Sequence, residues 1–221
     1  AMMLVTLPLA WGWMSPDALH DYASDVISVL TFSTNFLHLA RDNSYFAPSA
    51  ELQPLLHTWS LAVEEQFYLL YPLALWLIWR MKPRLLLPAL ALGALTSFLA
   101  ADWAAANHPH AAFYLLPSRA WELLVGAIAA VLPPPRRNPW LGLAGLAMIL
   151  ASVPLFDATT PFPGRYALLP VLGTALSLRY ASGSTAAARL LSLRPVAFLG
   201  LISYSTYLWH QPLLAFTRLR S

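Results

Sequence analysis

His57-Thr-Trp-Ser-Leu-Ala-Val-Glu-Glu-Gln-Phe-Tyr68 runs without a break into Leu69-Leu-Tyr-Pro-Leu-Ala-Leu-Trp-Leu-Ile-Trp79. The second stretch has the makings of a membrane helix. The first places a histidine, a serine, two adjacent carboxylates and a tyrosine at its mouth or just inside it. Ionisable groups in a bilayer are costly, and they persist where they line a cavity, pair with one another or do chemistry. This stretch therefore sets both the fold class and the place to look for function.

Composition agrees. Of 221 residues, 58% are hydrophobic and 10% are charged, whereas a soluble domain is about 25% charged. The absence of cysteine excludes disulfides and thiolate metal sites. The net charge of +3 is small and dispersed, which argues against nucleic-acid binding. Met2 to Trp11 is apolar but has no basic segment before it, unlike a cleavable signal peptide. Both ends of the chain are expected to be cut from a longer protein.

A spanning helix needs about 20 mostly apolar residues. Candidates are 61–79, 85–103, 111–132, 140–155, 166–178 and 196–216, with 2–13 as the end of another span. Arg80, Lys82 and Arg84 share one loop; Arg136 and Arg137 lie in another, and Arg179, Arg189 and Arg194 in a third. These loops contain no acid, and the alternate ones carry Asp42, Glu51, Asp102 and Asp157. Basic residues flank cytoplasmic helix ends, so the acidic loops face outward. Segment 21–40 breaks the alternation and is polar, with Asp25, Ser28, Thr31, Ser33, Thr34, Asn35 and His38. It reads as a helix lying over, or partly inserted in, the outer face; the alternative is a true span. The expected fold is all-α: a polytopic transmembrane helix bundle of about seven spans plus one outer-face or re-entrant helix.

Three constellations carry chemistry. In a helix from about Thr58, Ser60, Glu64 and Tyr68 share a face, and Glu65 turns toward a neighbour. Two adjacent carboxyls in low dielectric suit holding or relaying a proton. The competing use is a structural ion pair, with Arg119 as the available partner. Arg119 and Glu122, spaced i, i+3 inside a predicted span, form the second constellation. They either neutralise each other or reach elsewhere, and arginine's rigid fork suits phosphate or carboxylate. Gly126 and Gly93 are expected to permit close helix packing.

Ser203, Tyr207 and His210 fall on one helical face in Gly200-Leu-Ile-Ser-Tyr-Ser-Thr-Tyr-Leu-Trp-His-Gln-Pro212. No glycine elbow precedes the serine, which disfavours a Ser–His nucleophile. A histidine lining a polar cavity among tyrosines is the expectation. His108 and His110 have no third ligand nearby and read as surface residues; no metal site is expected.

Residues 55–69, beginning Leu-Leu-His-Thr-Trp-Ser, resemble the signature of the acyltransferase-3 family of bacterial integral membrane O-acyltransferases. Arg119-Ala-Trp-Glu-Leu-Leu-Val-Gly126 is similar to that family's mid-chain arginine–glutamate helix. Residues 199–213 resemble its late tyrosine-rich helix. Asn35, Tyr45, Phe46 and the Pro161-Phe-Pro-Gly164 segment also sit in familiar places. The family's opening helix carries an arginine some turns before a histidine held to be the catalytic base. That helix, the phenylalanine- and glycine-rich helix after it and the acidic closing helix are missing here. Residues 1–221 thus resemble the central and late part of the domain, a fragment expected to be inactive alone.

The resemblance implies an enzyme of the bacterial inner (cytoplasmic) membrane. It would move an acyl group, usually acetyl, from acetyl-CoA or another acyl-CoA donor to a hydroxyl of an envelope polysaccharide or glycan such as lipopolysaccharide. It implies no bound cofactor, and partners limited to acyl-CoA, the glycan acceptor and the lipid bilayer. Glu64 and Glu65 would support the catalytic histidine. Arg119 would bind anionic donor or stabilise charge. His57, Trp59, Ser60, Tyr68, Glu122, Ser203, Tyr204, Tyr207 and His210 would line the substrate path. A transporter or flippase of an envelope intermediate uses intramembrane Glu, Arg and His equally well, and an inactive sensor or scaffold is a third possibility.

Overall fold

The computed structural model describes residues 2–41, 52–135, 138–157 and 159–220. Asp42, Tyr45, Phe46, Glu51, Arg136 and Arg137 lie outside them. Every regular element among the described residues is helical. The helices are α1 (Met2–Trp13), α2 (Pro16–Leu30), α3 (Thr34–Ala40), α4 (Trp59–Met81), α5 (Leu86–Asn107), α6 (Pro109–Tyr114), α7 (Leu116–Val131), α8 (Pro139–Leu155), α9 (Leu168–Tyr180), α10 (Ala186–Leu191) and α11 (Arg194–Arg220).

Three helical stretches are long and apolar enough to cross a membrane: Leu56–Met81, Pro83–Asn107 and Pro109–Val131. The apolar α1 and α8 are shorter, at 12 and 17 residues. Helix α11, with 27 residues, is long enough, but Ser203, Thr206, Tyr207, His210 and Gln211 dilute its apolar character.

The chain divides into two compact units, Ala1–Gln66 with Leu199–Ser221, and Phe67–Phe198. Met2, Ala10, Tyr22, Leu55 and Phe216 form the buried centre of the first. Ala101, Trp121 and Ala167 do so in the second, packed by Phe98, Val125 and Phe162.

The single helix expected over 21–40 is instead a helical hairpin. Ser15 caps α2 by accepting from the Ala18 N–H at 3.3 Å, with Pro16 in the first turn. The chain then reverses through Thr31-Phe-Ser33, where Phe32 takes φ +53°, an uncommon and strained conformation for a bulky residue. Arg41, just past α3, reaches back to Asp25 at 2.7 Å and to Asp21 at 3.3 Å on α2. Helices α2 and α3 therefore run antiparallel. The buried faces are polar: Asp25, Ser28, Thr34, Asn35 and His38 are all buried.

The stretch expected over 111–132 is kept as a candidate span, but its helix is interrupted. Leu115 is extended, at φ −93° and ψ 140°. Pro117 has no N–H to give Phe113, and its ring crowds that carbonyl. Helix α6 therefore stops at Tyr114 and α7 begins afresh at Leu116.

Close helix packing falls elsewhere than expected. A Cβ at Gly126 would meet nothing within 4 Å, and one at Gly93 only Leu124 at 3.4 Å. The tight crossing is between α8 and α9, where a Cβ on Gly145 would lie 2.5 Å from the Gly173 oxygen and 2.7 Å from Ser177 Oγ. Both obstacles sit on a packed helix, so relief needs the helices to part. Gly145→Ala should cost about 1–3 kcal/mol, read as a lower thermal midpoint in detergent. An unchanged midpoint would mean that the crossing adjusts freely.

Candidate functional site

In the first unit, the site is built where the opening motif meets the late helix. A short 3-10 turn, Leu56–Thr58, precedes α4. The Leu55 carbonyl accepts from the Thr58 N–H at 3.0 Å and its hydroxyl at 2.6 Å. Leu55 and Leu56 anchor the turn in the core, and this drives His57 inside, at 1% exposure.

The Tyr207 hydroxyl donates to the His57 carbonyl at 2.5 Å and lies 2.6 Å from Ser60 Oγ. A phenol has one proton, so Ser60 is the donor in the second bond. The His57 ring meets Tyr207 and His210 edge-on, each at 5.2 Å between centroids. His210 Nδ1 lies 2.6 Å from the Tyr207 carbonyl. A carbonyl only accepts, so Nδ1 carries the proton and Nε2 of the neutral ring is an acceptor.

Neither ring nitrogen of His57 makes a well-formed hydrogen bond; the carbonyls of Pro54 and Leu208 face it. The Leu208 carbonyl is free to do so because Pro212, four residues on, has no N–H. Gln211 Nε2 adds a tie to the Gln53 carbonyl at 3.1 Å. Tyr207→Phe leaves the His57 carbonyl and the Ser60 hydroxyl without this partner. The expected cost is about 1–3 kcal/mol, measured by thermal unfolding, with Ser60→Ala milder because Tyr207 keeps its acceptor. Equal midpoints for Tyr207→Phe and the parent would remove the phenol from this role.

The rest of the first motif spreads around α4. Trp59 is buried, Ser60 and Glu64 are half-buried, and Tyr68 is 53% exposed. Glu65 lines a cavity of about 250 Å³ with Met2, Met3, Val29, Phe32, Tyr204 and Leu208 among its walls. Gln66 donates to the Phe32 carbonyl at 2.8 Å and to Asn35 Oδ1 at 2.9 Å. The strained hairpin turn is thus held by the motif. Ser203 does not join His210; it is exposed and donates to its own helix at the Gly200 carbonyl, 2.7 Å away. Tyr204, 62% exposed, reaches the cavity wall.

The hairpin adds charged groups that the sequence pattern did not single out. Asp25 is pushed up to about 6 by burial, against the pull of Arg41. His38 is lowered to about 4 by burial and by the Arg41 charge.

In the second unit, Arg119 Nη2 and Glu122 Oε2 are 2.9 Å apart, with side chains 22% and 20% exposed. Phe113 lies under the guanidinium at 5.9 Å. Glu122 also borders a cavity of about 190 Å³, with Gly126, Thr174 and Leu178.

Ser97 of α5 was not foreseen. Its hydroxyl donates to the Pro117 carbonyl at 2.6 Å and accepts from the Trp121 N–H at 2.9 Å. An uninterrupted helix pairs those two groups with each other, so Ser97 wedges the turn that carries Arg119. At the other end, Arg179 donates to the carbonyls of Ala129 at 2.6 Å and Pro133 at 2.6 Å, capping α7. Outside the spans, Asp157 is held below the usual carboxylate range by hydrogen bonds from Thr159 and Thr160. Among the described residues no group of three or more His, Asp or Glu could hold a metal ion.

Comparison with known proteins bears on this arrangement. No solved structure matches the chain. It is 31% identical to the peptidoglycan O-acetyltransferase OatA of Listeria monocytogenes over 235 aligned positions, covering 98% of this chain and 38% of that protein. It is 26% identical to the O-acetyltransferase OatA of Staphylococcus aureus, covering 91% and 36%. It is 30% identical to the putative peptidoglycan O-acetyltransferase YrhL of Bacillus subtilis, covering 90% and 34%. The chain thus spans little more than a third of the relatives it matches. The acyltransferase domain profile called acyltransferase-3 matches residues 2–220, and the chain belongs to that family.

Proposed function

We propose that the protein containing this chain is an O-acyltransferase of the bacterial inner membrane, with about seven spans, that acetylates a cell-envelope glycan. The acceptor we favour is peptidoglycan, because that is the substrate named for its Listeria relative. The observation that carries the reading is the joining of two distant motifs in one polar cluster. Tyr207 hydrogen-bonds both His57 and Ser60, and His210 packs beside them.

The reaction needs a hydroxyl oxygen to attack the thioester carbonyl, a base to take its proton, a donor to stabilise the tetrahedral oxyanion, and cleavage of the C–S bond with the proton passed to the departing thiol. Glu65, facing the cavity, is a proton acceptor at that step or a positioner of the family's histidine. Glu64 supports it from the adjacent position. His210 Nε2 accepts a hydrogen bond from the incoming hydroxyl. His57, Trp59, Ser60, Tyr68, Ser203, Tyr204 and Tyr207 line the path. Arg119, oriented by Glu122, holds the anionic part of the donor, which we take to be an acyl-CoA on the cytoplasmic side. The outer placement of the hairpin fits its charges, since Arg41 is neutralised by Asp21 and Asp25.

Membranes carrying the full-length protein should transfer label from acetyl-CoA to peptidoglycan as a base-labile ester. Glu65→Gln should lower the rate by about 10²-fold or more. No ester above vector-only membranes would sink the reading. Ester formed from endogenous donors but not from acetyl-CoA would remove the donor assignment alone.

A further inference from the structure

We propose that the cavity beside Glu65 is the slot for the acyl chain of the donor, and that Ala62 sets the chain length it accepts. This rests on the acyltransferase reading and names what its site holds. The walls supplied by Met3, Val29, Ala62 and Leu208 are apolar. Two threonines also line it, and each hydroxyl already holds one hydrogen bond within the protein. Thr34 accepts from Ser28 at 3.2 Å, and Thr58 donates to the Leu55 carbonyl at 2.6 Å. Each keeps only part of its capacity for a ligand, a proton on Thr34 and lone pairs on Thr58. Glu65 is the one charged group on the wall, joined by the Tyr204 phenol.

That chemistry discriminates among occupants. A sugar ring would bring several hydroxyls to a wall that is mostly apolar, and buried hydroxyls without partners are costly. The phosphates of a nucleotide-linked donor would meet a carboxylate of like sign. A neutral acyl chain asks for no hydrogen bonds and repels nothing. Methionine at two of the wall positions, Met2 and Met3, gives an adaptable lining for chains of differing length. Ala62 is 3% exposed and precedes Glu65 by three positions on α4. The two side chains therefore share a face, with Cβ atoms about 5–6 Å apart. The apolar wall and the carboxylate are adjacent, as they must be if the acyl carbon is to meet an acceptor hydroxyl at the slot's edge. Extending the Ala62 side chain would fill the space; removing it would enlarge it.

The test uses the full-length protein in nanodiscs. One arm maps crosslinks from an S-acyl-pantetheine with a diazirine on a short acyl chain. The other measures butyryl against acetyl transfer from the two CoA thioesters to peptidoglycan. We expect label on the 61–65 or 204–208 segments. We also expect a butyryl-to-acetyl ratio that falls about ten-fold in Ala62→Leu and rises several-fold in Ala62→Gly. Label confined to other segments overturns the slot. So does a ratio unchanged in both variants while acetyl transfer continues. If Ala62→Leu abolishes all transfer, the ratio in Ala62→Gly decides, and an unchanged value overturns the proposal. Wild-type protein that takes the label on these segments but transfers nothing sinks the acyltransferase reading and leaves the slot standing. Neither label nor transfer sinks both.

Discussion

Arg41→Ala should destabilise the first unit by about 1–3 kcal/mol at neutral pH, through lost hydrogen bonds and the cost of protonating a carboxyl already raised to about 6. The Asp25 side chain is 3% exposed and Arg41 is its counter-charge at 2.7 Å. Removing the guanidinium leaves a buried carboxyl that must give up its charge by taking a proton. Asp25→Asn in the same background should restore most of the loss.

The pH dependence separates this from lost packing. Asp25 has a folded pKa raised to about 6. Its contribution is therefore full below the ordinary carboxylate range and lost as pH rises through about 6. His38 has a folded pKa lowered to about 4. Its contribution is full above the ordinary imidazole value and lost as pH falls through about 4. In the parent the two slopes oppose each other between these values. In Arg41→Ala, Asp25 loses the cation that lowers it, and His38 loses a charge that disfavours its protonated form. Acidification from neutral pH toward 5.5 should then raise the thermal midpoint of the variant more than that of the parent. A variant midpoint that falls on acidification would refute the account.

Arg119→Ala is expected to have the largest effect on transfer, lowering kcat/KM by about 10²–10³-fold in the full-length protein, as for loss of one charge-stabilising donor. Its partner Glu122, 20% exposed, would keep a carboxylate in the second unit with no counter-charge from α7. Some loss of stability should accompany the loss of rate. Arg119→Lys keeps the charge but not the planar fork and should fall between. Ser97→Ala tests positioning: it removes the wedge from the turn that carries Arg119 without touching the charge. A predominant rise in KM for the thioester donor, with kcat held, is the expected signature. Transfer by Arg119→Ala within two-fold of the parent would remove this residue from the site.

Much of this was legible along the chain. The apolar lengths placed α4, α5 and α8 within a few residues, because hydrophobic runs of that size have few alternatives. The i, i+3 spacing offered the Arg119–Glu122 pair as one of two uses, and did not choose between it and a partner on another helix. The breaks at Phe32 and Leu115 were not legible in the same way. Phe32 has no glycine signal, and its conformation is held by Gln66, more than thirty positions away. Pro117 did carry a signal, but apolar residues on both sides masked it. Glu64 and Glu65 stand out because charge is rare in an apolar helix. Gln66, neutral, proved to be the residue that ties the motif to the hairpin. Ser97 and Arg179 act on α7 from other helices, and periodicity is blind to such partners. The Trp-His-Gln-Pro order did hold a usable clue, since a proline after a histidine-bearing turn frees a carbonyl one turn back.

The tether between Gln66 and the hairpin turn has a consequence for the bilayer itself. Gln66 lies seven residues beyond the first residue of α4, or about 10 Å along its axis. The turn tied to it therefore sits well below the point where α4 begins. On the proposed topology, polar backbone is then carried through roughly the outer third of a hydrocarbon layer about 30 Å thick. On that topology the apolar thickness left beneath the turn would be some 20 Å. An acyl group delivered from the cytoplasmic side would have a correspondingly shorter dry passage to complete before meeting its acceptor.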